Sequence, residues 1–307
     1  MSVLNRQFVR VRVVGRAVVD RLKRRVLRYR NVALIDQAAR TGATLEFAYS
    51  SRGPGLGALY LHVLAIHAAA SERGFDARVT IPRSVYSHSG TFDPLLSFWD
   101  GIRTSGPCWK RISFANFSYL GVDYRFRSLR DANDVWSSSY ALKESLRDQL
   151  DAELDQLGLQ PGEYVSVHYR GSDKSIEAIT PNFTAVAQEL EVFIEEGRKV
   201  FVASDDASFV DYIRDTYGES VVIPHHHRAD GSTAIHHRAD VDGDEAAREA
   251  LLTMLCLAGS SAMVKTPSAL SGFSLVLNPD IVVKPVGRIR FEVRDWFPDN
   301  LLFPCES

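Results

Sequence analysis

A long apolar helix between two strand-like runs restricts the fold of this chain more than any other feature. Residues 44–49 form a β-rich apolar run, a glycine-rich loop follows at 50–57, and an almost wholly apolar helix is predicted from about residue 58 to 73. The next strand is predicted at 77–81. A helix that is apolar around its whole circumference is buried on most sides. Strand, glycine turn, buried helix and strand in this order make a βαβ unit, whose strands are parallel.

The second half of the chain repeats this alternation more regularly. Strands are predicted at 163–169, 199–203, 220–223, 262–265 and 281–284, and helices at 183–196, 207–217, 245–258 and from about 268 onward. Strands that alternate with helices of this length indicate a doubly wound sheet. We therefore predict an α/β protein with two Rossmann-like, doubly wound parallel-sheet domains that face a cleft.

The predicted division of the chain has four parts. These are a basic N-terminal arm at 1–30, an N-terminal domain at 31–158, a C-terminal domain at 159–285 and a tail at 286–307. The boundary rests on Gly158–Gly162, which breaks the chain after an amphipathic helix predicted at 139–157. The aromatic-rich stretch 83–135 shows no pattern clear enough to assign its elements.

Composition and charge exclude several classes of protein. The 307 residues carry a net charge of −2, so the chain as a whole does not bind nucleic acid by electrostatic attraction. Cys108, Cys256 and Cys305 follow no metal or disulfide spacing, which indicates reduced thiols. No apolar run is long enough to cross a membrane, and no signal-peptide core is evident. A bacterial cytoplasmic location is therefore expected.

The N-terminal arm is strongly basic, although the net charge of the whole chain is close to zero. Residues 1–30 hold ten Lys and Arg against one acid, Asp20, and their apolar residues recur at helical spacing. A basic amphipathic helix can lie on an anionic membrane surface, which would place the protein peripherally on the inner face of the plasma membrane. The alternative is a solvated helix that packs on the protein body.

Two turns before predicted helices are candidate anion sites, because backbone N–H groups at a helix start favour negative charge. In the loop 51–57, Gly55 and Gly57 would let the backbone approach a ligand, although the spacing is not a dinucleotide fingerprint and a tight turn is the alternative. In the segment 266–271, Thr266 is expected to cap the helix and Pro267 to be its first residue. An ordinary capped helix is the alternative there.

Charged side chains crowd the end of the strand at 163–169. His168, Arg170, Asp173 and Lys174 follow one another there. Arg is the side chain best shaped to hold a phosphate through two hydrogen bonds, and Asp173 would keep Arg170 or Lys174 in place. A surface ion-pair cluster is the alternative.

Two adjacent acids, Asp205 and Asp206, follow the strand at 199–203. One acid is enough to cap the next helix, whereas two at the mouth of a cleft exceed that need. They do not form the D-x-D pattern that holds a divalent metal, and no metal site is predicted.

The order of these four segments resembles the α-1,6- and protein O-fucosyltransferase superfamily, including chitin-oligosaccharide fucosyltransferases of the nodulation type. The resemblance runs from about Ala43 to Pro285. Its motifs are a glycine loop at 53–57, an H-x-R-x-x-D-type motif at 168–173, a strand end at 204–206 and a late strand followed by 266–271. It implies the GT-B fold, a nucleotide-sugar donor in the form of GDP-fucose, inversion at the sugar carbon, and no required metal or cofactor.

The resemblance also implies roles for individual residues. Arg170 would hold the β-phosphate of the donor, and His168 would shape the nucleotide site. The candidate catalytic residues are Arg170, Asp173, Glu177 and Asp206, with Glu177 the first and Asp206 the second candidate for the general base. The candidate donor-binding residues are Gly55, Gly57, His168, Arg170, Lys174, Asp205, Thr266, Ser268 and Ser271.

Two departures from the family pattern keep other functions open. Gly171 stands where stricter members carry a second arginine, and Thr253 stands where an Asp that reads guanine is common. The alternatives are a GT-B transferase with a different nucleotide sugar, and a non-catalytic module that binds a sugar nucleotide or a glycan. An oligosaccharide or glycoconjugate would be the acceptor.

A histidine-rich segment lies outside these motifs. His-His-Arg-Ala-Asp occurs at 226–230 and again at 236–240, with His225 added. Five neighbouring histidines could bind a metal, but no helical or C-x-x-C spacing fixes a geometry. A loop over the cleft that contacts the acceptor is the favoured interpretation.

Overall fold

The computed structural model describes residues 24–87, 92–102, 107–122, 124, 126–171, 178–179, 181–224, 242–290 and 297–305. Predictions for residues 1–23, for Asp173, Lys174 and Glu177, and for the histidine-rich segment 225–241 lie outside these ranges.

A parallel sheet organises the N-terminal half. Helix α1 covers residues 24–41 and is followed by β1 (Thr44–Ser50), α2 (Leu56–Arg73), β2 (Asp76–Arg83), β3 (Trp99–Gly101) and β4 (Cys108–Phe114). β1 lies between β2 and β4 and is parallel to both. The predicted βαβ unit is thus confirmed, and α2 is buried as its all-round apolar character requires.

The strand β4 lies in the stretch that the sequence left unassigned. It is an edge strand of the sheet, and its residues Trp109, Lys110 and Arg111 are all exposed. Because only Ile112 and Phe114 are buried, alternating hydrophobicity is absent from most of the strand. The third parallel strand therefore had no pattern to reveal it.

The helix predicted at 139–157 is shorter than expected. After α3 (Leu129–Ser137), residues Tyr140–Leu142 form β5, which pairs antiparallel with β3. The helix α4 begins only at Glu144 and ends at Leu157. The backbone groups of residues 140–142 are hydrogen-bonded to β3, so they cannot also form the hydrogen bonds of a helix.

The C-terminal half has a five-stranded parallel sheet. Its elements are β6 (Val165–Tyr169), β7 (Ala178–Ile179), α5 (Phe183–Glu195), β8 (Val200–Ser204), α6 (Ala207–Tyr217), β9 (Val221–Val222), α7 (Gly243–Ala258), β10 (Ala262–Lys265), α8 (Ala269–Leu277), β11 (Val282–Pro285), β12 (Arg288–Ile289) and α9 (Asp299–Leu302). The strand order is β11-β10-β6-β8-β9. This is the doubly wound order, which reverses direction between β6 and β10. The predicted α/β class with parallel sheets is confirmed.

One hydrophobic core joins elements from both halves of the sequence. The helices α7 and α8 contribute Leu251, Met254 and Phe273 to the cluster that surrounds α2. Phe273 packs on Tyr60 and Trp136, with ring centroids 5.0 and 4.7 Å apart. In the sequence, the two parallel sheets are formed before and after residue 158. In space, the start of α8 nevertheless packs against the start of α2. In the part of the chain that the structure describes, no helix is both long and apolar enough to span a membrane.

Candidate functional site

The carboxyl ends of β6 and β10 meet at the point where the strand order reverses. His168 and Lys265 are register partners across these strands, and the Thr266 amide donates to the His168 carbonyl oxygen at 3.0 Å. Ligands of open α/β sheets bind in the crevice at this kind of switch point. The topology therefore places the second and fourth predicted motifs side by side.

Arg170 is fixed between the two neighbouring strands. Its backbone N–H donates to Thr266 Oγ1 at 2.8 Å, and its guanidinium lies 3.1 Å from Asp205 Oδ2. The other oxygen of Asp205 accepts from the Gly171 N–H at 3.2 Å. The Arg170 and Asp205 side chains are only 16% and 7% exposed. Asp205 thus orients the guanidinium at the strand end.

The second acid has a separate structural task. Asp206 caps α6 by accepting from the N–H groups of Ser208 and Phe209 at 2.9 and 3.3 Å. A Cβ atom on Gly171 would collide with the Asp206 carboxylate. Glycine at 171, where the chain departs from the pattern of the family that it resembles, avoids this collision. The role of Asp206 as a base stays a prediction beside this observed capping role.

His168 is a buried, neutral imidazole beneath the site. Burial, together with the smaller effects of the positive charges on Lys265 and Arg170, lowers its pKa to about 3. Its Nδ1 atom has no hydrogen-bond partner within the described ranges. His168 therefore stays uncharged at neutral pH, so it adds no positive charge of its own to the site.

The start of α8 differs in detail from the prediction. Ser268, not Thr266, is the N-cap, since its Oγ accepts from the Leu270 N–H at 3.3 Å. Pro267 precedes the helix instead of opening it. The Thr266 hydroxyl is used by the Arg170 amide, which explains why the cap moves two residues on. Ser271 is buried, and its hydroxyl donates to the Ser268 carbonyl at 3.4 Å.

A buried ion pair that sequence reasoning missed braces this helix start. Lys265 is fully buried and pairs with Asp299, whose second oxygen accepts from the Ser268 N–H at 2.6 Å. The Lys265 ammonium also lies 5.0 Å from the centre of the Phe303 ring. A lysine that ends an apolar strand needs a buried partner. That signal was present, but nothing local pointed to Asp299.

The glycine loop reaches the same place from the N-terminal half. Gly55 is the N-cap of α2 and offers no side chain, while the Leu56 N–H donates to the Tyr86 hydroxyl at 3.0 Å. A Cβ atom on Gly57 would lie 2.5 Å from the Ala269 carbonyl oxygen. The starts of α2 and α8 are therefore in backbone contact, which only glycine permits.

Tyr86, also missed from the sequence, lies under the influence of Arg170. Burial raises its pKa to about 12, against the opposing effects of the Leu56 hydrogen bond and of the Arg170 charge. A protonated tyrosine hydroxyl thus lies at the start of α2. It interacts electrostatically with the Arg170 guanidinium, which belongs to the other half of the sequence.

Together these elements favour a negatively charged ligand. One oriented guanidinium and two helix starts converge, and neither helix has an acid within its first turn. The Asp299 carboxylate, which accepts from the Ser268 N–H at the start of α8, is paired with the Lys265 ammonium. Arginine and helix N–H groups bind diphosphates and other oxyanions. Among the described residues, no group of three His, Cys, Asp or Glu could hold a metal ion.

Comparison with known proteins identifies the fold. No protein-family model and no curated protein matches the sequence. The chain is similar in structure to NodZ α-1,6-fucosyltransferase soaked with GDP-fucose, with a TM-score of 0.51, 14% identity, and coverage of 76% of this chain and 92% of that one. Fucosyltransferase NodZ from Bradyrhizobium gives the same TM-score and identity, with 93% of its chain covered. The predicted resemblance is confirmed at the level of the fold, which the chain shares with these NodZ structures.

Proposed function

We propose that this protein is a glycosyltransferase that binds a nucleoside diphosphate sugar at the carboxyl ends of β6, β8 and β10. The observation that carries the proposal is the convergence of Arg170 with the starts of α2 and α8 at the switch point of the sheet. The fold supports it, because the NodZ structure of the same fold was soaked with GDP-fucose.

In this proposal the protein stabilises the diphosphate leaving group. Breaking the bond between sugar and phosphate leaves negative charge on the diphosphate. The Arg170 guanidinium, already oriented by Asp205, stabilises that charge more in the transition state than in the ground state. The start of α8, where Lys265 balances the Asp299 carboxylate, adds partial positive charge, so the proposal requires no metal ion.

In the proposed reaction the acceptor hydroxyl attacks the sugar carbon while the bond to the diphosphate breaks, which inverts the configuration. A carboxylate removes the proton from the attacking hydroxyl. Glu177 is the first candidate for this base. Asp206 comes second, because its Oδ1 atom is already engaged by two backbone N–H groups of α6. The acceptor in this proposal is an oligosaccharide or glycoconjugate, and the place of action is the cytoplasm.

The proposed donor is GDP-fucose. Thr253 on α7 supports a second candidate, because it replaces the acid that commonly reads guanine in the resembling family. In that case the protein is a transferase of the same fold with a different nucleotide sugar. The two candidate functions share the diphosphate site. They differ only in the nucleobase and the sugar of the donor.

Thermal denaturation with a panel of nucleotides and sugar nucleotides tests the proposal. A ligand at a hundred times its Kd stabilises the native state by about 2.7 kcal/mol, which raises the Tm by roughly 4 °C for a chain of this size. GDP and GDP-fucose should give the largest shifts, and turnover should survive EDTA. A larger shift with another nucleotide would select the second candidate. Binding without donor hydrolysis or transfer would reduce the protein to a non-catalytic module.

A further inference from the structure

Helix α1 presents different faces at its two ends. Its buried residues are Asn31, Ile35 and Ala38, whose spacing of four and three defines the face that packs on the protein body. Val26 lies nine positions before Ile35, which at about 100° per residue places it on the opposite face. Tyr29, three positions after Val26, lies on the same outward side.

These two apolar side chains are the most exposed large hydrophobic residues described. Tyr29 is 70% exposed and Val26 is 65% exposed. In the sequence, Leu22 and Val18 continue the same spacing backward by four residues each. The apolar stripe of Val26 and Tyr29 therefore does not extend the buried face of α1, and the described part of the chain does not cover these two side chains.

The charge around this stripe is strongly positive. Arg24, Arg25, Arg28 and Arg30 occupy the same exposed turns, and residues 1–23 add six Lys and Arg against one Asp. A second copy of this chain would bring like charges together across the stripe, which is repulsive. An anionic lipid surface instead matches both the arginines and the apolar side chains.

We propose that the first turns of α1 dock on an anionic phospholipid surface, with Val26 and Tyr29 inserted among the acyl chains and the arginines at the headgroups. This contact is independent of the proposed catalytic function. It places the protein peripherally on a membrane, with the buried face of α1 still packed on the body.

The experiment is co-sedimentation of the full chain with vesicles of phosphatidylcholine alone or mixed with phosphatidylglycerol. We expect binding only to the mixed vesicles, and weakening by salt. The double variant Val26→Ser/Tyr29→Ser should bind at least about tenfold more weakly, because it removes the inserted apolar groups. Arg24→Gln and Arg25→Gln should each cost about fivefold, which corresponds to about 1 kcal/mol per arginine.

Val192→Ser is the matched control, since it removes an apolar side chain that is 48% exposed on α5. Its vesicle binding should equal that of the unaltered chain. Equal pelleting of the double variant, or equal binding to neutral vesicles, would overturn the proposal. So would a dimer in sedimentation velocity without vesicles that the double variant abolishes, because the stripe would then be a protein interface.

Discussion

Replacement of Arg170 by alanine should separate the catalytic role of its guanidinium from its structural role. Removal of one preorganised donor from a developing oxyanion typically lowers kcat by about a hundredfold to a thousandfold. We expect a loss of this size in turnover with the sugar-nucleotide donor. Arg170→Lys should recover little activity, because an ammonium cannot make the two parallel contacts of a guanidinium.

Stability should also fall, because the substitution breaks the buried ion pair between Arg170 and Asp205. Breaking a fully buried ion pair costs about 3–5 kcal/mol. Arg170 is 16% exposed and the Gly171 N–H still donates to Asp205, so we expect only about 1–3 kcal/mol here. This corresponds to a Tm lower by roughly 2–5 °C.

The double variant Arg170→Ala/Asp205→Asn distinguishes the two effects. Neutralising residue 205 removes the buried negative charge that the guanidinium had balanced, so most of the lost melting temperature should return while turnover stays low. Steady-state kinetics and melting curves on the single and double variants measure both quantities. Recovery of turnover together with stability would refute the reasoning, since Arg170 would then be a structural partner of Asp205 and nothing more.

Three further expectations concern the elements around the site. Gly57→Ala should cost about 1–3 kcal/mol, because its Cβ would overlap the backbone of Ala269 and Leu270; Gly53→Ala, which meets no atom within 4 Å, should be near neutral in the same melting assay. Asp299→Asn should cost about 3–5 kcal/mol, because it removes the carboxylate from the buried ion pair with Lys265. Asp280→Asn breaks an exposed pair and should cost under about 1 kcal/mol; similar losses in the two variants would contradict this. The pKa of His168 is lowered to about 3, so the unfolded chain takes up a proton below about pH 6.5 that the native state refuses. Stability should therefore be full above that pH and lower by about 2 kcal/mol at pH 5, and His168→Asn should flatten this dependence; an unchanged slope would show that another group is responsible.

The sequence predicted the elements whose side chains follow one period, and the places where charge gathers at strand ends. The helices α2 and α6 and the strands β6 and β10 are found within about two residues of the prediction. Their patterns are strong because both faces of the parallel strands are buried. The strand β4 escaped notice because most of its side chains are exposed.

The partners within the site were harder to foresee. Arg170 pairs with Asp205, which directly follows the adjacent strand β8, whereas the sequence favoured Asp173, which is closer along the chain. Lys265 and Asp299 come together through the return of residues 297–303 to the end of β10. These contacts depend on the order of the strands in the sheet and on the path of residues 297–303. Neither can be predicted from the spacing of residues along the sequence.

The contact between Gly57 and the start of α8 has a consequence for biosynthesis. The face of α2 that carries Tyr60 is covered by Phe273, which a ribosome makes long after α2 has emerged. Until then, the nascent N-terminal half exposes an apolar helix face that invites aggregation or capture by a chaperone. Expressed without α8, residues 24–158 should therefore be poorly soluble, and the two halves of the sequence should not be separable as independent folding units.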